Sequence, residues 1–390
     1  MKNISKIILY FSIFTLLLLL TSCGDIKEIH QLSYVTAVGV DYKDNQYHGY
    51  LQMMGFDTQS KDGGGGEPKV WVSETIGDTF DAALSEAYNT AQDRILWAHV
   101  NAIVLSESAI QEGFQKVFDV LTRYYELRLT PWIFGTSDPI DEIFSTQSFF
   151  NQSALETILH QPTGTFKQSS KIRPLNLQKF ARELYEPTMT TYVPSLKVNA
   201  SHWKVNMETD PKLSVNGGFF IQNELYKGFY TLDELKGLQW IAPETKRASI
   251  VVPDEQQSGI IVVIEDLKVN IETNSNEQHT PKFSVHMKLK GFVSNRNDNH
   301  IVKLKAMEEA IKKSITKEVN ELYELGLKKG TDFLCIEHVL YREHNKKWLE
   351  LSERDEVVLQ AGALENVSVE VNIEHTGAIK NRSLNLWLSE

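Results

Sequence analysis

The sequence predicts a multi-domain α+β protein: a mixed α/β chain with an N-terminal domain of alternating strands and helices, and a C-terminal antiparallel sheet packed on one long helix. Three observations carry that reading. Strand and helix patterns alternate from Ser33 to Gly135. Long alternating strands occupy Ser258–Thr273 and Pro281–Val293, and from Ile301 to about Lys328 apolar residues recur every three or four positions.

Residues 1–22 precede these elements. Lys2 and Lys6 stand before the uncharged run Ile7–Leu20, and Leu20-Thr21-Ser22 leads into Cys23. A basic start, a short apolar stretch and small residues before a cysteine mark a lipoprotein signal peptide, with Cys23 the lipid-modified first residue of the mature chain. An ordinary signal anchor would leave Cys23 incidental; the small residues just before it favour lipidation.

A polar leader, Gly24–His30, opens the first domain, 23–199. Tyr34–Asp41 is rich in β-branched residues and reads as a buried strand, with Tyr47–Phe56 as its hairpin partner. Asp57–Pro68, containing Gly63–Gly66, reads as an exposed loop; no Gly-Lys-Ser/Thr follows it, so it is no phosphate cradle. Val70-Trp71-Val72 is a further strand. Asp78 is positioned to cap a helix reaching about Arg94, with Phe80, Leu84, Ala87 and Ala91 on one face. Val100–Leu105 is a strand, and Ser108 to Gln111 has capping-box spacing for a helix carrying Phe114, Val117, Leu121 and Tyr124. Leu127–Phe134 reads as a strand in spite of Pro131, which predicts a sheet edge or a bulge. Short helices follow near Asp138–Phe144, Ser153–His160 and Leu175–Tyr185, with a polar loop around Gln161–Arg173, and Tyr192–Lys197 is extended.

The polar stretch Asn199–Lys212 lacks periodicity and marks a domain boundary. A small middle domain, 200–263, holds a hairpin of Val215–Phe220 and Glu224–Tyr230 around Gln222-Asn223, then a short helix from Thr231 through Trp240. The C-terminal α+β domain, 264–390, takes the long strands and the long helix. Leu304, Met307, Ile311, Ile315, Val319, Leu322 and Leu325 line one face of that helix, and Lys312, Lys313, Lys317 and Glu318 the other. A second helix spans about Thr331–Glu343, and Val367–Glu374 closes the sheet.

Composition limits the function classes. Among 390 residues, 42% are hydrophobic and 23% charged, as in a globular body rather than a disordered or multi-span chain. No segment after the signal has an apolar run long enough to cross a bilayer. The 40 Lys+Arg face 51 Asp+Glu; without Lys2 and Lys6 the balance is 38 to 51, a net charge of −13. Such a body is repelled by nucleic-acid phosphates and anionic lipid surfaces. Attachment to a membrane therefore falls to the lipid, at about 0.8 kcal/mol per buried methylene.

Cys23 and Cys335 are the two cysteines, so acylation of Cys23 leaves Cys335 without a disulfide partner. Within Phe333–Ile336 it reads as a buried, inert thiol. No catalytic, metal or cofactor motif is present: no Gly-x-Ser-x-Gly, no His-Glu-x-x-His, no Asp-rich calcium loop, no dinucleotide fingerprint. Catalytic, metal and cofactor residues are accordingly none. His338 and His344 lie about 240° apart on a helix and share no face. Asp41, at a strand end, reads as satisfying a turn rather than acting as an acid or base. Seven Trp and fourteen Tyr could supply interface anchors, though pattern alone does not separate these from core residues.

Several segments together resemble the Ger(x)C family, the lipoprotein C subunits of bacterial spore germinant receptors. Cys23–Ile29 followed by Val35–Asp41 is similar to the family's opening, with Gly24 where an aromatic Trp is usual. Ala98–Leu105, Arg128–Trp132, Asn216–Phe220, Lys227-Gly228 and Thr231–Trp240 follow in the family's order. Thr331–Glu337, continuing to Leu340-Tyr341-Arg342 and Trp348, is the most specific piece. The family commonly carries glycines near Cys335 and Ile336 and a proline near Asn345, where this chain departs. The resemblance implies a three-domain mixed α/β body and a non-enzymatic scaffold or coupling subunit in nutrient-triggered germination. It implies as partners an integral-membrane A subunit and an integral B subunit, with the chain lipid-anchored through Cys23 on the extracytoplasmic face of the spore inner membrane. The alternative is a solute-binding lipoprotein of a membrane transporter, whose usual form is two parallel doubly wound lobes. A wall-acting hydrolase would need a motif that is absent.

Overall fold

A computed structural model describes residues 32–54, 69–123, 126–252, 260–273, 281–296 and 304–375. Cys23, the signal segment, the Gly24–His30 leader, the glycine loop Asp57–Pro68 and Tyr124 lie outside the described residues.

The chain opens with a hairpin of β1 (Leu32–Lys43) and β2 (Gln46–Met54). Asp44 and Asn45 at its turn have φ of 51° and 61°, the left-handed pair whose twist matches that of the flanking strands. β3 (Val70–Gly77) pairs antiparallel with β2. The next helix, α1 (Phe80–Glu86), is shorter than its sequence pattern. Thr79, not Asp78, caps it by accepting from the Ala82 N–H; Asp78 instead accepts from the Gln46 amide at 3.2 Å. The chain leaves the helix because Arg94–Leu96 forms β4, parallel to β1.

β5 (Ala102–Ser106) is followed by α2 (Glu107–Glu112) and α3 (Phe114–Arg123), separated at Gly113, whose φ of 113° ends the first helix. The cap is Ser106, which accepts from the Ala109 N–H at 3.0 Å, in place of the expected Ser108. Ser108 turns to Asp41. β6 (Trp132–Thr136) begins just after Pro131 and is an interior strand, so the proline marks neither an edge nor a bulge. Its missing N–H precedes the ladder, and its carbonyl accepts from Leu177 N–H at 2.8 Å. α4 (Ile140–Ser145) matches expectation, whereas Ser153–His160 supplies only one 3₁₀ turn, and the polar stretch after it contains α5 (Pro162–Gln168). β7 (Leu175–Asn176), α6 (Leu177–Tyr185) and β8 (Thr190–Asn199) follow. A small hairpin of β9 (Lys204–Val205) and β10 (Glu208–Thr209) leads to β11 (Lys212–Gln222) and β12 (Leu225–Thr231).

These strands form a ten-stranded sheet in the order β12-β11-β8-β6-β5-β1-β2-β3, with β4 added to β1 and β7 to β6. β1, β5, β6 and β8 run parallel at the centre, and antiparallel strands flank them. Helices cover both faces, so β5 is apolar from Ala102 to Leu105: Ile103 and Leu105 point into one core cluster, Ala102 and Val104 into the other.

After α7 (Leu238–Ile241) the chain builds a second sheet from β13 (Ala248–Val252), β14 (Ile260–Thr273) and β15 (Phe283–Arg296), all antiparallel. α8 (Leu304–Lys329), α9 (Ile336–Glu343) and α10 (Asn345–Glu353) then carry the chain across to β16 (Leu364–His375). Because that connection is a helical crossover, β16 lies parallel to β15, and the sheet is mixed rather than wholly antiparallel. Met307, Ile311, Ile315, Val319 and Leu322 of α8 are buried, as their spacing requires. The opposite face of the sheet carries exposed ion pairs such as Lys288–Glu370 at 3.2 Å.

Residues 200–263, set apart in sequence as a middle unit, are shared between the sheets. The β11–β12 hairpin extends the first sheet through β8, and β13 with the start of β14 belongs to the second. No helix among the described residues is long and apolar enough to cross a membrane.

A Cβ on Gly135 of β6 would lie 2.3 Å from the Phe219 ring, whereas one on Gly164 of α5 would meet nothing within 4 Å. Gly135→Ala is therefore expected to destabilise by about 1–3 kcal/mol through overpacking. Gly164→Ala should stabilise by about 0.5–1 kcal/mol through helix propensity. Urea midpoints at constant m-value read both.

Candidate functional site: the junction between the two sheets

Cys23, the one residue that sequence assigns a chemical role, lies outside the described residues. The remaining candidates resolve into structural roles. Asp41 is buried and accepts from Ser108 Oγ and Tyr42 N–H, each at 2.8 Å, and pairs with Lys43 at 2.5 Å. Burial would raise its carboxyl, but the hydrogen bonds from Lys43, Ser106 and Ser108 outweigh this and hold it below its ordinary value. It ties β1 to the start of α2. His338 donates from Nδ1 to the Pro187 carbonyl at 3.0 Å, while His344 sits at the α9–α10 bend. Among the described residues no three His, Cys, Asp or Glu side chains cluster as metal ligands would.

The segment Thr331–Glu337 forms the centre of the junction. Residues 331–335 are a turn ahead of α9, which begins at Ile336 and not at Thr331 as the pattern reads. Phe333 stands edge-on to Phe220 of β11, centroids 4.9 Å apart, and to Tyr230 of β12, 4.8 Å apart. Thr331 Oγ1 lies 3.3 Å from Tyr230 Oη, and Asp332 N–H donates to Gln222 Oε1 at 3.4 Å. A segment that leads into the second sheet is thus bonded to the edge hairpin of the first.

Asp332 also organises α9. Its Oδ2 accepts from Glu337 N–H at 2.9 Å, so it serves the helix start that the Cys335 side chain does not cap. Cys335 occupies the left-handed region with φ of 53°. That conformation favours glycine, a physical reason for the glycines common near this point in the Ger(x)C pattern. Its thiol donates to the Thr190 carbonyl at 3.5 Å, and burial pushes it up to about 12, so it remains protonated and inert.

A second set of contacts pins α8. Trp240 is buried completely and donates from Nε1 to Glu318 Oε2 at 2.6 Å. Glu318, on the polar face by spacing, is drawn under α7, and burial raises its carboxyl. A Cβ at Gly237 would fall 2.4 Å from the Glu318 carbonyl, so only glycine permits this approach. Arg342–Glu186 at 3.3 Å closes the rim. One apolar cluster runs from Val38 and Leu51 through Phe220 and Phe333 to Ile315 and Met287.

Two buried polar groups escaped the sequence reading. His160 Nε2 lies 2.9 Å from Gln52 Oε1, and the Gln52 amide nitrogen donates to the Phe144 carbonyl at 2.7 Å. Asn101 sits at Nδ1, and burial takes the imidazole down to about 3, so it stays neutral. Arg173 pairs with Glu183 at 2.8 Å and Glu244 at 2.7 Å. The available signal was Glu183 itself, three positions from the buried Phe180 at the flank of an apolar helix face.

Comparison with known proteins divides the chain between β8 and β11, both strands of the first sheet. Residues 25–198 match the family model described as "Spore germination protein N-terminal domain", and 216–377 that described as "Spore germination B3/GerAC like, C-terminal". The chain is 23% identical over 388 residues to spore germination protein KC of Bacillus subtilis strain 168, covering 93% of this chain and 94% of that one. It is 23% identical over 322 residues to the putative spore germination protein YfkR of the same organism, covering 79% and 82%. The crystal structure of the GerBC protein superimposes with a TM-score of 0.50 at 14% identity, covering 90% of this chain and all of that one, which is a likeness of fold.

Burial pushes the Asp332 carboxyl from its ordinary 3.8 up to about 6. A raised folded-state value means that its stabilising effect is complete below pH 4 and lost as pH rises through 6. Relative to Asp332→Asn, which keeps the acceptor but cannot ionise, the native protein should lose roughly 2–3 kcal/mol across that range. Urea titrations of both proteins between pH 4 and pH 7 measure it, and a difference that does not change with pH would contradict the assignment.

Proposed function

Because the chain belongs to the spore germination GerAC family, whose N- and C-terminal models together span most of it, we propose that it is the lipid-anchored C subunit of a spore germinant receptor. The family match over both sheets carries the reading, and the Leu20–Cys23 sequence supports its membrane attachment. Cleavage before Cys23 and acylation there would hold the body by buried methylenes; two acyl chains anchor stably where one is reversible. With a net charge of −13 after loss of Lys2 and Lys6, 38 basic against 51 acidic residues, the body itself adds little attraction to an anionic surface.

The role is non-catalytic: a scaffold or coupling component beside integral A and B subunits on the extracytoplasmic face of the spore inner membrane. The junction supports coupling. Phe333 cannot leave Phe220 and Tyr230 without exposing its ring, so a force on one sheet is passed to the other as a displacement of packed side chains. A solute-binding lipoprotein built from two parallel lobes is not favoured by a flanked mixed sheet joined to a small sheet with three antiparallel strands.

Cys23→Ala should abolish palmitate labelling and move the protein out of the membrane fraction; unchanged labelling refutes the anchor. A clean deletion should lose the nutrient response of its receptor, and normal germination without a paralogous receptor responding would refute the subunit role.

A further inference from the structure

Two neighbouring turns present large apolar side chains to solvent. In the turn Phe149–Gln152, closed by the Gln152 N–H donating to the Phe149 carbonyl at 3.0 Å, Phe150 is 91% exposed. At the tip of the β9–β10 hairpin, just past the Val205–Glu208 pair, Met207 is 83% exposed. Trp203 and Val205, in the same hairpin, are 53% and 56% exposed. The two turns touch. Trp203 stands edge-on to the Phe149 ring, centroids 4.9 Å apart, and the Lys212 ammonium lies 4.9 Å from the centre of that ring. The four exposed side chains therefore form one patch on a shared base.

Both tips are built against backbone preference. Phe150 and Asn151 have φ of 57° and 56°, and Asn206 and Met207 have φ of 51° and 73°. Such left-handed pairs favour asparagine and glycine. Each turn has its asparagine, but a large apolar residue takes the other position. Strain of this kind collects at functional surfaces, and neither Phe150 nor Met207 is buried in return for it. The patch is also electrically neutral. Residues 147–152 carry no charged side chain, and in 201–212 Lys204 and Lys212 balance Glu208 and Asp210. Lys212 pairs directly with Asp210. The body as a whole, with 38 basic against 51 acidic residues after loss of Lys2 and Lys6, carries −13.

We propose that these two turns are a membrane-insertion surface: Phe150 and Met207 enter the acyl region of a bilayer, and Trp203, with its amphipathic indole, sits at the headgroup level. An exposed apolar patch marks a protein or a membrane contact. Projection from two turn apices, rather than from a flat or concave face, suits a fluid bilayer, and neutrality spares the tips the repulsion that the acidic body meets at anionic lipid. The bilayer is within reach. Cys23 is joined to β1 by the eight residues Gly24–Gln31, which span at most about 28 Å. The inference rests on acylation of Cys23 for the nearness of that bilayer. β1, β5, β6 and β8 run parallel, so the leader enters one end of the sheet and the hairpin after Asn199 leaves the other. Contact at both ends lays the sheet along the membrane, where a lipid alone leaves the body free to pivot.

The test uses the full-length lipoprotein reconstituted into phosphatidylcholine vesicles whose acyl chains carry bromine, a short-range quencher of tryptophan fluorescence. Quenching is expected, and Trp203→Phe should remove most of it. The double variant Phe150→Asn and Met207→Gly suits the left-handed turns, so its urea midpoint should hold while most of the same quenching is lost. Quenching that is unchanged in either variant overturns the proposal. A dimer in detergent that the double variant dissociates overturns it as well, by making the patch an interface between copies of the chain. Flotation with the vesicles reads the anchor separately. Protein that floats without quenching through Trp203 refutes the insertion surface alone, and protein that does not float refutes both.

Discussion

The edge-on packing of Phe333 against Phe220 and Tyr230 is the contact on which the relation between the two sheets depends. Phe333 follows the last turn of α8, the helix that covers the second sheet, and its two partners belong to the edge hairpin of the first. Burying three aromatic side chains together is worth several kcal/mol at about 25 cal/mol per Å² of apolar surface. The polar groups around the wedge define its register. Thr331, Asp332 and Cys335 each bond to a residue of the first sheet, so a slip of the segment would strand buried donors and acceptors.

The wedge needs a rigid seat, which the first sheet provides. Its central parallel strands are covered on both faces, and β8 and β11 pair along ten registered positions before the hairpin turns at Asn223-Glu224, both with positive φ. Gly237 performs the matching task on the other side, where only a missing Cβ lets α7 meet the α8 backbone and bring Trp240 to Glu318. The two halves therefore share one buried apolar cluster rather than facing each other across water. A chain built in this way suits a coupling role, because movement of one sheet relative to the other would expose apolar surface and break several hydrogen bonds together.

The charged cluster of Arg173, Glu183 and Glu244 stands apart from this logic. Its ion pairs are good ones, yet three of its neighbouring polar atoms are idle. A purely structural cluster could have been replaced by apolar side chains at little cost or some gain.

Much of the chain was legible from local pattern. The long α8 helix declares itself by a period of three to four because one face is buried along its length, β1 and β5 by largely apolar runs because both their faces are buried, and the Asn223 turn by its residue type. Helix starts were less legible. Thr79 against Asp78, and Ser106 against Ser108, are neighbouring residues of equal capping chemistry, and the choice was made by the strand from which the chain enters the helix. Pro131 misled because a proline just before a strand costs no ladder bond, whatever the strand's place in the sheet.

What the sequence by itself determined is the class of fold, the acidic body, the candidate lipid cysteine and the family pattern. All of these are written in composition, short-range periodicity or contiguous motif. Only the tertiary structure decided that the Gln222 hairpin extends the first sheet, that β16 runs parallel, that Glu318 turns inward to Trp240, and that Arg173, Glu183 and Glu244 meet. Those partners are separated by up to 78 positions for Trp240 and Glu318. No local period encodes contacts of that kind; they form because burial in a shared core leaves each polar group one place to find its partner.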